Sequence, residues 1–204
     1  KDKIDILIGT QMVAKGLDFE NVTLVGVITA DTMLNINDYR SGERTFAMLE
    51  QVSGRAGRGS KEGRAVNQTY TPEHEAVSLV KSHNYRTFYD KEIAKRKLMW
   101  YPPFCKIVSV HFQGNVENIV AKTAKCFLNT AEKTQNISQK IQVLGPVPSY
   151  ISKIKNKYRW QIIFKCEDDD NLGEILSQAE MTCRKNKEFS DVAIIIDKSP
   201  GMIN

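Results

Sequence analysis

The stretch IDILIGTQMVAKGLDFENVTLVGVITA, Ile4 to Ala30, decides the fold. Its two apolar runs, Ile4–Gly9 and Val22–Ala30, are rich in β-branched residues and scarcely alternate. Such runs suit strands buried on both faces of a parallel sheet. A polar, helix-compatible segment follows each run; the longer spans Ser41 to about Gly54, with Phe46, Leu49 and Val52 at helical spacing. GRAVNQTY, Gly63–Tyr70, reads as another strand. The order β-α-β-α-β implies an α/β layer fold over residues 1–70. Three strands leave unprotected edges, so this half is expected to lack its N-terminal part. The chain starts at Lys1 rather than Met, as a piece of a longer protein would.

Residues 71–103 read as a helical connector. Thr71 offers a capping hydroxyl, Pro72 suits the first helical position, and Glu73 and Glu75 suit the first turn. A break near Asn84 leads to a second helix through about Met99, stopped by Pro102-Pro103.

Residues 104–204 read differently. Lys106–Phe112 is a strand and Asn115–Ala131 an amphipathic helix. Ile141–Gly145 is a short strand ended by Gly145-Pro146 and Pro148. Tyr158, Trp160, Ile162, Phe164 and Cys166 share one strand face, which favours a core position for Trp160. Leu172 to Cys183 is a second helix, with Asp168, Asp169 and Asp170 suited to its start, and Val192–Ile196 is the last strand. The order β-α-β-β-α-β is that of the split, ferredoxin-like unit.

The 204 residues carry 29 basic and 24 acidic side chains, a net charge of +5. Hydrophobic content of 41% excludes disorder and fibrous classes, and no apolar run approaches the roughly 18 residues of a membrane span. The charge bias is local: from Glu132 to Glu167 there are seven Lys or Arg and no acid. Lys153, Lys155, Lys157 and Arg159, with Tyr150, Tyr158 and Trp160 interleaved, read as a DNA-binding surface or as a solvated loop. Cys105, Cys126, Cys166 and Cys183 form no CxxC pair and read as small core residues, with no zinc site within this stretch. No secretory signal opens the chain, so a reduced cytoplasmic setting is expected.

Two motifs carry chemistry. QVSGRAGR, Gln51–Arg58, sets two arginines among small residues after a helix. Small neighbours let a backbone approach a partner, and a guanidinium matches phosphate oxygens in fork geometry. GTQMVAKGLDF, Gly9–Phe19, starts where the first strand should end, the edge at which open α/β sheets bind ligands. Taken alone, the first also fits a glycine-rich helix cap with solvated arginines, and the second an ordinary βα turn.

Together, as GTxxxxKGxDF then QxxGRxGR, they resemble motifs V and VI of superfamily 2 helicases. That resemblance implies the second RecA-like lobe of a motor that sandwiches ATP between two lobes. It implies an arginine finger at Arg58, a second phosphate or coupling arginine at Arg55, and Gln51 beside them at the cleft. It puts Gly16 and Asp18 at the nucleotide and Thr10 and Gln11 at the DNA backbone. DYRSGER (Asp38–Arg44), KLMWYPPF (Lys97–Phe104), LGPVP (Leu144–Pro148) and YRWQIIFK (Tyr158–Lys165) narrow the resemblance to the PriA family of primosomal replication-restart helicases. The fold class implied is α/β, a partial RecA-like helicase lobe 2 followed by a ferredoxin-like C-terminal domain.

For the full-length protein the resemblance implies an ATP-dependent 3′-to-5′ DNA helicase that restarts stalled forks and loads the primosome. ATP and Mg²⁺ would be bound mainly by the missing lobe, and Zn²⁺ elsewhere in the full-length protein. Partners would be forked and single-stranded DNA, the single-stranded-DNA-binding protein and other primosome proteins, in the bacterial cytoplasm at the nucleoid, with no membrane. The chain has neither a GxxxxGK[ST] loop nor a DExH segment, so alone it is expected to lack ATPase activity. Two alternatives stand: another superfamily 2 helicase, RecG-like or RNA-acting, or a non-enzymatic nucleic-acid-binding adaptor. An upstream phosphate loop would separate the motor from the adaptor.

Overall fold

The computed structural model describes residues 4–10, 22–57, 62–134, 141–167, 170–198 and 200–201. They fall into two compact units. One comprises residues before 37 together with 40–92; the other comprises 37–39 and everything from 93 onward.

In the first unit, β1 (Leu24–Val27) leads through α1 (Asp31–Leu34) and α2 (Ser41–Ser53) to β2 (Arg64–Asn67). The two strands pair in parallel, Leu24 opposite Arg64 and Val27 opposite Asn67. This is the parallel α/β crossover expected for Val22–Ala30 and Gly63–Tyr70, but β1 is not buried on both faces as its apolar run implied: Leu24 and Ile28 are exposed. Its core is small: Ala30, Phe46, Leu49, Ala76, Val80 and Phe88. Phe46 on α2 stacks on Phe88 at 4.3 Å between ring centroids, 10° from parallel. Phe88 belongs to α4 (Tyr85–Leu98), whose first turn is capped by the Asn84 side chain accepting from the Thr87 amide at 3.0 Å.

Two further expectations fail in this unit. Ile4–Gly9 is not a strand: Ile4, Ile6, Leu7 and Ile8 are exposed, and no strand among the described residues pairs with them. A buried parallel strand needs a hydrogen-bonded neighbour and cover on its faces, and among the described residues Ile4–Gly9 pairs with neither β1 nor β2. Thr10 accordingly lies in irregular, exposed chain, not at the end of a buried strand. The connector helix α3 (Glu75–Ser78) starts later than Thr71-Pro72, with His74 as its cap: His74 Nδ1 accepts from the Ala76 amide at 3.1 Å. The Thr71 hydroxyl donates instead to Asp31, at 2.7 Å.

The second unit holds β3 (Lys106–Gly114), α5 (Glu117–Thr134), β4 (Ile141–Ile154), β5 (Lys157–Cys166), α6 (Asp170–Lys185) and β6 (Ala193–Asp197). The sheet order is β4-β5-β3-β6, with every pairing antiparallel. This is the predicted ferredoxin-like arrangement. Val110, Phe112, Ile162 and Phe164 face Val120, Ala124 and Phe127 of α5 and Leu176 and Ala179 of α6 in one core cluster. Each large side chain buried there contributes roughly 1.5–3 kcal/mol. Phe112 and Phe127 meet edge to face at 5.4 Å. Trp160 packs half-buried against this cluster, as its alternation predicted.

β4 corrects one reading. The strand does not stop at Gly145-Pro146; it runs on through Pro148 to Ile154. β4 lies at the sheet edge, where a missing proline amide need not cost a ladder bond. The pairing shifts register between Leu144 and Val147 and again between Pro148 and Lys153.

Candidate functional site

α2 carries the first candidate site. Phe46 and Leu49 bury one side of the helix, which leaves Gln51 exposed on its last turn. The helix unwinds through amide bonds from Gly54 to Glu50 (3.0 Å), Arg55 to Val52 (3.0 Å) and Ala56 to Ser53 (3.3 Å). Gly57 follows at φ +76°, a conformation that favours glycine. Its amide donates to the Val22 carbonyl at 3.0 Å, while the Arg64 amide donates to Thr23 at 2.8 Å. A Cβ on Gly57 would stand 2.6 Å from the Gly63 nitrogen, and one on Gly63 would run into the Ala56–Gly57 backbone. Two main-chain segments therefore cross at a pair of glycines. Arg55 is half-buried on this turn and has interaction partners of its own. Arg58, Gln11, Gly16 and Asp18 lie outside the described residues.

The chain beyond β1 is tied down by Asp31, a residue the motif reading passed over. It is buried and accepts from Thr69 Oγ1 at 2.8 Å, Thr71 Oγ1 at 2.7 Å and the Tyr70 amide at 3.1 Å. The Thr71 hydroxyl above all, then that of Thr69, holds its carboxyl below the usual range. The only signal in sequence is an aspartate closing an apolar run, with a Thr-Tyr-Thr triplet far downstream. His83, at φ +49°, sets its Nδ1 2.9 Å from Glu50 Oε2, next to Gln51 in the chain.

In the second unit, four side chains form a ladder. Lys165 Nζ lies 3.7 Å from the Tyr101 ring centre, Tyr101 stacks on Tyr39 at 4.9 Å and 7°, and Arg96 covers Tyr39 at 5.0 Å. Lys165 Nζ also donates to the Met99 carbonyl at 3.1 Å. Burial pushes this lysine below its ordinary range, with the Cys105 thiol acting in the opposite sense. Lys165 thus drops out of the basic surface it was counted with. Cys105, Cys166 and Cys183 are buried and Cys126 is half-buried, all as free thiols.

The rest of the basic stretch is a hairpin. Lys155 and Asn156 form its turn at φ +49° and +62°, the geometry of the tight primed turns that join β-strands. Lys153, Lys155 and Lys157 are exposed and Arg159 is half-buried. Lys153 Nζ sits 4.4 Å from the Tyr158 ring centre and donates to its hydroxyl at 3.2 Å, so that ring is already covered. Among the described residues, no three His, Cys, Asp or Glu side chains are grouped to hold a metal ion, and no helix is long and apolar enough to cross a membrane.

Residues 97–200 match the family described as the primosomal protein N C-terminal domain, and residues 1–60 match the helicase conserved C-terminal domain. The replication restart protein PriA of Bacillus subtilis is 45% identical over 206 residues, which cover 98% of this chain and 25% of that protein. The PriA of a Synechocystis strain is 44% identical over 165 residues, 81% of this chain and 20% of the relative. That of Borreliella burgdorferi is 36% identical over 198 residues, 97% of this chain and 29% of the relative. The chain thus spans about a quarter of the length of these relatives.

Proposed function

We propose a function from one premise: this chain belongs to the primosomal protein N C-terminal domain family. It acts as the C-terminal part of an ATP-dependent, 3′-to-5′ DNA helicase that restarts stalled replication forks. The observation that carries the reading is the glycine crossing after α2. Gly57, at φ +76° with the Gly63 backbone against it, holds the end of the stretch from Gln51 to Gly57 on main chain. A guanidinium that must be held to within about 0.5 Å of its productive geometry needs such a support.

The donor set fits a nucleotide phosphate: Arg55 is a half-buried guanidinium on a turn of small residues. Arg55 and Arg58 would bind phosphate oxygens and stabilise the charge developing there, with Gln51 beside them, and Gly16 and Asp18 would contact the nucleotide. ATP bound with Mg²⁺, mainly by another lobe, would supply the phosphoryl group and the driving force. Thr10 and Gln11 would hold the DNA backbone, and Lys153, Lys155, Lys157 and Arg159 would bind the phosphates of forked and single-stranded DNA. A zinc module elsewhere in the full-length protein, the single-stranded-DNA-binding protein and other primosome proteins complete the assembly, in the bacterial cytoplasm.

The test uses the full-length protein. Arg58→Ala should lower DNA-stimulated ATP hydrolysis by roughly 10³-fold or more and abolish unwinding, while fork affinity stays within about threefold. Loss of binding and hydrolysis together, or hydrolysis near the native rate, counts against the assignment.

A further inference from the structure

We propose that Tyr150 and Ile151 form a wedge that abuts the terminal base pair at a DNA branch point. The proposal rests on the reading of the basic hairpin as a DNA surface and says what that surface grips. In the ladder between β4 and β5, Pro148 faces Trp160 and Lys153 faces Tyr158. Between those pairs β4 spends four residues, Ser149 to Ser152, against the single residue Arg159 of β5. The surplus forms a bulge, a device that bends a strand and re-aims its side chains. Ser149 turns inward at 5% exposure, while Tyr150 and Ile151 stand out at 65% and 53%.

An exposed aromatic–aliphatic pair on an edge strand is an aggregation hazard unless something covers it. The surroundings say what: Lys153, Lys155 and Lys157 follow the bulge through the hairpin turn, all exposed, and no acid lies between Glu132 and Glu167. Cations beside an apolar pair complement the phosphates beside an exposed base pair, which is flat and apolar at its end. Apolar side chains set against base steps in this way are a general means of unstacking DNA. A simple single-strand stacking platform fits less well. Of the four aromatic residues in the stretch, Phe164 is buried, Trp160 is half-buried in the core, and Tyr158 lies under Lys153. Only Tyr150 is exposed, which suits one contact at a junction rather than a file of stacked bases.

The experiment compares full-length protein, without nucleotide, on a three-way fork, a duplex and a single strand of matched length. Tyr150→Ala with Ile151→Ala should cut the fork-over-duplex affinity ratio by about tenfold, leaving the salt dependence of duplex binding unchanged. Lys155→Ala with Lys157→Ala should weaken all three DNAs and flatten the salt dependence. If the lysine variant changes no affinity, the DNA reading of the hairpin fails, and the wedge with it. If the lysine variant behaves as expected but the Tyr150/Ile151 variant keeps the native ratio, the wedge alone is overturned. Conversion of a self-associated protein to monomer by the Tyr150/Ile151 variant, seen by sedimentation without DNA, would make the pair a contact between copies and overturn it too.

Discussion

Alanine at Gly57 and alanine at Gly54, three residues apart in one motif, should behave in opposite ways. At Gly57 the φ of +76° costs an L-residue about 1–2 kcal/mol. The new Cβ would also lie 2.6 Å from the Gly63 nitrogen and 3.0 Å from its Cα, both main-chain atoms that cannot swing aside. Overpacking of that kind costs about 1–3 kcal/mol, for a total of roughly 2–5 kcal/mol. Gly54 has φ −70°, and a Cβ there would meet the Glu50 carbonyl at 3.4 Å. Gly54→Ala should therefore stay within about 0.5 kcal/mol of native. Amide hydrogen exchange at the end of α2 reads the local cost. ATP hydrolysis by the full-length protein should drop at least roughly tenfold for Gly57→Ala and by no more than about twofold for Gly54→Ala. Equal effects of the two substitutions, on either readout, would refute the reasoning that the turn is limited by its backbone.

Phe88→Ala removes half of the Phe46–Phe88 stack from the small core of the first unit and should cost about 3–5 kcal/mol in urea unfolding. The His111 ring is pushed below its ordinary 6.5, by burial first and by Arg159 second, with Asp197 acting the other way. The unfolded chain therefore takes up that proton more readily, and stability falls as pH drops below about 6.5 until the folded value is passed. The stability gap between native protein and His111→Gln should narrow from pH 7 to pH 5; a constant gap would exclude His111 as the cause. The Asp31 carboxyl is held below 3.8, so its contribution is complete above that value and fades as pH falls through the folded one. Asp31→Asn should lower Tm at neutral pH, and the two proteins should converge in strong acid.

The elements legible in sequence were those whose pattern is local. Phe46 and Leu49 announced α2, and the period of two from Tyr158 to Cys166 turned Trp160 inward. The same period put Lys165 on the opposite face, where polarity suggested water; its burial depends on Met99 and Tyr101, some 65 residues earlier. Thr71 looked like a cap because a cap is judged from its neighbours, and its real partner, Asp31, is 40 residues away. Ile4–Gly9 advertised a wish for burial without naming a cover. Pro146 and Pro148 marked a strand end only because edge position, which tolerates them, cannot be read from one strand. At the candidate site, the glycines of QVSGRAGR were visible, but the need for Gly63 opposite Gly57 was not.

Tyr39 stands two residues ahead of α2, yet its ring is the third tier of the Lys165–Tyr101–Tyr39–Arg96 ladder. Excising residues 93–204 as a free-standing piece would pull that tier out. Tyr101 would lose its stacking mate and Arg96 its aromatic cushion, so the severed portion should melt earlier than it does when spliced into its parent.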